Sequence, residues 1–321
     1  MAVYTEIGDA ELSAFVALYD IGDVLACKGI AEGVENSNFL LTTARGNFIL
    51  TLYEKRVARA DLPFFIALMD HLAHHGVACP VPVRAHDGEA LRELCGRPAA
   101  IVTFLNGMWP RRIEPYHSAA LGTALAGLHR AGASFPMTRS NDLSLAGWQR
   151  LYAACVVRAD EVQQGLAEEL ASEIAFFENA WPNGLPSGVI HADLFPDNVF
   201  FRDRELSGLI DFYFACTDFL AYDLAVCLNA WCFEPDGSFN VTKARLLVGN
   251  YRIARPLTSD EISVLPLLAR GSALRFLLTR LYDWLNQAEG AMVRPKDPLE
   301  YLRKLRFHRA VASAAGYGID A

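Results

Sequence analysis

Gly188-Val-Ile-His191-Ala-Asp193-Leu-Phe-Pro-Asp197-Asn198-Val-Phe-Phe201, followed by Leu209-Ile-Asp211-Phe212, is the stretch on which the fold turns. Gly188–Ile190 and Val199–Phe201 are short apolar runs of strand character on either side of a polar loop. A third run, Gly208–Ile210, delivers one more carboxylate at its end. Carboxylates and an amide gathered at strand ends are suited to presenting oxygen ligands to a hard cation and a base to a hydroxyl.

The spacing narrows the chemistry. His191, Asp193 and Asn198 stand as H-x-D-x-x-x-x-N, a loop in which the Asp takes the proton of an attacking hydroxyl and the Asn holds a second Mg²⁺. Asp211 then has the place of the aspartate that holds the metal bridging the nucleotide phosphates. His191 is expected to pin the loop carrying Asp211, since the base must be the residue nearest the nucleophile and Asp193 fills that role.

The stretch resembles the catalytic segment of aminoglycoside-phosphotransferase-like small-molecule kinases, and most closely the homoserine kinases of that superfamily. Asp211-Phe-Tyr-Phe-Ala-Cys216 and Tyr222-Asp223-Leu-Ala225 carry the closer likeness. The resemblance implies an α+β, bilobal protein-kinase-like fold, with a small antiparallel-sheet lobe over residues 1–104 and a mainly helical lobe over 105–321. It implies ATP and Mg²⁺ as cofactors and transfer to L-homoserine, giving O-phospho-L-homoserine on the route to threonine. Kinases for other small alcohols (an aminoglycoside, choline or a sugar) and a nucleotide-binding module without catalysis stand as alternatives.

The resemblance also orients the first lobe. Gly33-Val-Glu-Asn36-Ser37-Asn38 looks like the segment that covers ATP, with Gly33, Asn36 and Ser37 as donors to phosphate. Pro98–Leu105 would be the hinge strand, whose backbone at Leu105 would meet the adenine edge. One departure stands out. Thr51 occupies the place of the superfamily's phosphate-binding Lys or Arg and cannot supply a cation, leaving Lys55 or backbone donors. The resemblance implies that Thr is tolerated there.

A cationic partner is needed for the carboxylate of homoserine, and arginine offers a bidentate fork. Arg275 and Arg280, on an otherwise apolar helical stretch, are the candidates. Asp223 is expected to hold a loop in place, and His129 to be a packed or capping histidine.

Composition agrees with an enzyme of two lobes: 321 residues, 52% hydrophobic and 21% charged. A net charge of −8 argues against nucleic-acid binding, which requires a basic face. Seven scattered cysteines without a C-x-x-C pair are expected to be reduced thiols of a cytoplasmic protein. No secretory signal is expected at the N-terminus, and no uncharged apolar run approaches the length of a membrane span.

Helices are expected from Asp9 (with Leu12, Phe15, Val16 and Tyr19 on one face), from Asp61 to His75, and over Tyr116–Arg130, Trp148–Val157, Glu161–Trp181 and Pro295–Arg309. His71, His74 and His75 are expected to cap carbonyls or face water, and Ala310–Ala321 to fray.

Overall fold

Ser37–Thr43 alternates buried and half-buried side chains along its whole length, the pattern of a strand with two differently packed faces. In the computed structural model, which describes residues 5–30, 36–54, 57–287 and 295–319, this is β2 of a five-stranded antiparallel sheet. Its other strands are β1 (Val24–Gly29), β3 (Gly46–Leu52), β4 (Leu91–Leu94) and β5 (Arg97–Thr103), in the order β1-β2-β3-β5-β4. One face, with Phe39, Leu41, Leu50 and Ile101, closes over Leu12, Phe15, Val16 and Tyr19 of the α1 segment. α1 itself runs Asp9–Val16, and Gly8 rather than Asp9 is its N-cap, without a side-chain cap bond. The opposite face, with Ile49, Ala100 and Val102, packs into the core shared with the second lobe. Full burial of a leucine such as Leu41 or Leu50 is worth roughly 1.5–3 kcal/mol.

α2 (Leu62–His74) has Pro63 in its first turn and buries Phe65, Leu68, Met69 and Leu72. His74 and His75 hydrogen-bond the carbonyls of Asp70 and His71 through Nδ1, each at 2.7 Å.

The second lobe is helical around two small hairpin sheets. α3 (Pro115–Gly132), α4 (Leu145–Cys155) and α5 (Leu166–Ala180) lead into β6 (Ser187–Ile190). β7 (Val199–Arg202) and β8 (Glu205–Leu209) pair with each other, and β9 (Cys216–Phe219) returns to pair with β6. α6 (Leu220–Trp231), α7 (Val241–Ala254), α8 (Ser259–Leu285) and α9 (Pro298–Ala310) complete the lobe. α3 and α7 cross at Gly122, where a Cβ would stand 2.1 Å from the Leu247 carbonyl oxygen, so the crossing requires a residue without a side chain.

Two expectations are corrected. The helix expected over Glu161–Trp181 starts only at Leu166, because Gly165 takes a left-handed conformation (φ 80°) after a 3-10 turn at Val156–Glu161. The tail does not fray over its described part: Tyr317 is fully buried and its hydroxyl lies 2.7 Å from Nδ1 of His308. α8 passes for a membrane span by length and mean composition, but Arg270, Arg275 and Arg280 interrupt its apolar run, as expected, and 72% of its most apolar window is buried inside the protein. It is the core helix of the second lobe, begun by a capping box in which Thr258 and Glu261 bond each other's backbone N–H at 3.1 and 2.9 Å.

Candidate active site

The register of the β7–β8 hairpin sets Val199 against Leu209, so the residues just outside the pair, Asn198 and Ile210, are neighbours as well. Ile210 donates its N–H to the Asn198 carbonyl at 3.0 Å, and Asp211 follows directly. The loop from His191 to Asn198 and the strand end bearing Asp211 thus share one hydrogen-bonded edge.

Side chains tighten this knot. His191 is fully buried and places Nε2 3.0 Å from the Ile210 carbonyl, to which it donates; Nδ1 accepts the Asp193 N–H at 3.3 Å. Burial holds the imidazole below its ordinary pKa, against the pull of Asp223, so it remains neutral. Asn198 donates Nδ2 to the Asp193 carbonyl at 2.8 Å and lies 3.4 Å from Asp193 Oδ2. The amide nitrogen is committed to Asp193, and Oδ1 is the atom left for a cation. Asp211 itself is exposed.

Asp223 supports the loop from beneath. Its carboxylate accepts the N–H groups of His191 (2.7 Å) and Ala192 (2.9 Å) and lies 3.2 Å from Nε2 of His129, whose Nδ1 faces the Tyr251 hydroxyl at 2.7 Å. Burial pushes this carboxyl upward, but the His129 hydrogen bond, the neighbouring histidines and the backbone donors hold it below the ordinary value. The support is needed because Ala192 (φ 63°) and Asp211 (φ 65°) both adopt left-handed backbone, which costs a non-glycine residue of order 1–3 kcal/mol.

Arg275 and Arg280, the residues expected to meet a substrate carboxylate, both make contacts inside the protein. Arg275 is 1% exposed, donates Nη1 to the Ala192 carbonyl and lies over the Phe276 ring. Arg280 pairs with Glu300 at 2.6 Å, donates to the Asp297 carbonyl and stacks on Tyr301. Their apolar surroundings on α8 made them conspicuous in sequence, and the same surroundings explain their internal pairing, since a buried charge must find a partner.

Across the cleft, Asn36 and Ser37 are buried, and both are tied to Glu54: Asn36 Oδ1 accepts the Glu54 N–H at 3.3 Å and Ser37 donates to Glu54 Oε1 at 2.8 Å. These contacts hold both side chains against Glu54 at the start of β2. Gly33 and Lys55 lie outside the described residues. Thr51 donates to Asn38 Oδ1 at 2.8 Å, and beside it Tyr53 OH meets Tyr213 OH at 3.3 Å. Tyr213, two residues beyond Asp211, is therefore tethered to the sheet, and its burial raises the phenol to about 12. Arg139 adds a second strut, donating to Asp61 of the first lobe at 2.7 Å and to the Ala215 carbonyl at 3.4 Å. No local pattern marks Arg139 or Tyr213 in the sequence, since both act on residues remote in the chain.

Leu105 lies just beyond the end of β5 at Thr103. Its side chain packs on Gly208, and Met108 and Phe201 exchange both backbone hydrogen bonds at 2.9 and 3.0 Å. Among the described residues neither the N–H nor the C=O of Leu105 has a hydrogen-bonded partner.

Residues 26–257 match the model of the phosphotransferase enzyme family. Along its whole length the chain is 64% identical to a homoserine kinase of Xanthobacter autotrophicus and 62% identical to one of Paramagnetospirillum magneticum, covering 100% of each. Among solved structures it resembles an amicoumacin kinase in complex with AMP-PNP, Ca²⁺ and Ami, with a TM-score of 0.68 at 14% identity over 94% of this chain and 92% of that one. That likeness speaks to the bilobal fold, and the sequence relatives speak to the branch: the chain belongs to the phosphotransferase enzyme family, among its homoserine kinases.

Proposed function

We propose that this chain transfers the γ-phosphoryl group of ATP to the hydroxyl of L-homoserine, giving O-phospho-L-homoserine and ADP on the route to threonine. Asp193 orients the hydroxyl and takes its proton. Because the transition state is loose, most of the rate comes from positioning and electrostatics, and Asp193 needs no strongly raised pKa for this. His191, neutral and locked between Asp193 and Ile210, keeps the base and the Asp211 loop in register.

Asn198 and Asp211 would hold Mg²⁺. Their donors are a carboxylate and an amide oxygen, the hard ligands that this cation selects. A cation held there would supply positive charge to the phosphate oxygens. The Leu105 backbone is the adenine contact. Arg275 is a positioning residue, acting through the Ala192 carbonyl on the loop that carries Asp193. We place the reaction in the cytoplasm, in keeping with seven free thiols.

The observation that most supports this reading is the continuous hydrogen-bonded path Asp193–Asn198–Ile210–His191, ending beside Asp211. The test is ADP release with homoserine, choline and aminoglycosides side by side. Homoserine should show the highest kcat/KM; a preference for any acceptor without the amino-acid head group would overturn the assignment.

A further inference from the structure

A triphosphate in this cleft brings more negative charge than the cation held by Asn198 and Asp211 can neutralise alone, and Thr51, hydrogen-bonded to Asn38, adds none. The sheet face turned toward the catalytic loop follows from strand register. Lys28 pairs with Leu40, Leu40 with Ile49, and Ile49 with Val102, forming one cross-strand row, and Asn38 and Thr51 form the next. Ile49 and Val102 pack into the core shared with the second lobe, so this row looks at the catalytic side. Cys27, one residue back, points the other way: it pairs with the core residue Leu41, and after burial the Asp9 carboxylate of α1 is what raises its thiol.

Lys28 is therefore the charged member of the cleft-facing row. It is exposed and, among the described residues, has no hydrogen-bond or carboxylate partner. By contrast Arg45, Arg59, Arg84, Arg92 and Arg97, the other described cations up to the end of the sheet, each pair with a carboxylate. An ammonium on a flexible four-carbon stem, unpaired and beside the strand end that leads into the covering segment, is suited to a polyanion whose position varies slightly.

We propose that Lys28 supplies from β1 the phosphate-binding cation that β3 lacks at Thr51. The proposal rests on the kinase reading above, and it makes Lys28 a contact of the nucleotide phosphates rather than of the base or the acceptor. Lysine on an edge strand also discourages edge-to-edge pairing, and the experiment separates the two roles.

Calorimetric titration of the full chain with Mg·ATP, Mg·ADP and adenosine would be compared for wild type, Lys28→Ala and Lys28→Arg, with thermal melting as the control for folding. The Ala variant should bind Mg·ATP and Mg·ADP about tenfold to a hundredfold more weakly, the range of one charge-assisted hydrogen bond. Its adenosine affinity and melting temperature should match wild type, and the Arg variant should recover most of the loss. Unchanged Mg·ATP affinity in Lys28→Ala, or an equal loss for adenosine, would overturn the proposal. If wild type bound Mg·ATP but phosphorylated another alcohol, the acceptor assignment alone would fall; if it bound no nucleotide, both readings would fall.

Discussion

Replacing Asp223 with Asn preserves the shape of a fully buried side chain and removes its charge. The native carboxylate receives three donors, the N–H groups of His191 and Ala192 and Nε2 of His129. An amide has one oxygen. Placed where Oδ2 now serves His191 and His129, it leaves the Ala192 N–H facing an NH₂ group. One buried donor without an acceptor costs about 1–3 kcal/mol, and the remaining bonds lose their charge assistance, so destabilisation of about 2–4 kcal/mol is expected. Ala192 is the residue held at φ 63° next to Asp193, and a small shift there should lower kcat on the order of tenfold to a hundredfold. Urea unfolding and ADP release would measure the two effects. The pH dependence supplies a further check. The folded carboxyl titrates below its ordinary value, so it contributes stability above the unfolded value of about 3.9 that is lost as pH falls through the folded one. Asp223→Asn should flatten this acid limb. A variant within about 0.5 kcal/mol of wild type and with unaltered kcat would refute the role assigned to Asp223.

Further outcomes follow from particular contacts. Asp193→Asn should abolish most turnover while leaving Mg·ATP affinity near wild type in a direct binding titration; equal loss of both would contradict its role as base. Asp211→Asn, at an exposed position, should raise the Mg²⁺ concentration for half-maximal rate at least about tenfold with little change in melting temperature. His308 is buried against Asn229 and Tyr317 and titrates at about 3. The unfolded state therefore binds the extra proton first, and stability should decline as pH falls from about 6.5 toward 3; His308→Gln should remove that part of the slope. Gly122→Ala should cost about 1–3 kcal/mol by forcing α3 from α7, seen as a lower denaturant midpoint, and an unchanged midpoint would show that the crossing can open.

Much of the site could be read locally. His191, Asp193 and Asn198 lie within eight residues, and one hairpin turn brings Asp211 to them; alternating burial on β2 and the apolar stripe of α2 likewise follow from the order of neighbouring residues. The boundaries that went astray did so where a backbone conformation decides, as at Gly165. Other contacts were set by what the folded chain placed opposite each group. Arg275 and Arg280 carry the same charge on one helix. One was brought beneath the Ala192 carbonyl and the other beside Glu300, contacts that no spacing along α8 encodes. Asn36 and Ser37 were brought against Glu54, and strand register alone set Lys28 in the cross-strand row of Leu40, Ile49 and Val102. Sequence alone determined the branch of the family and the loop on which the candidate reacting groups stand, because these depend on short-range order. Tertiary structure decided which charges are already spent on one another, because ion pairs and hydrogen bonds form between residues that only the fold makes neighbours.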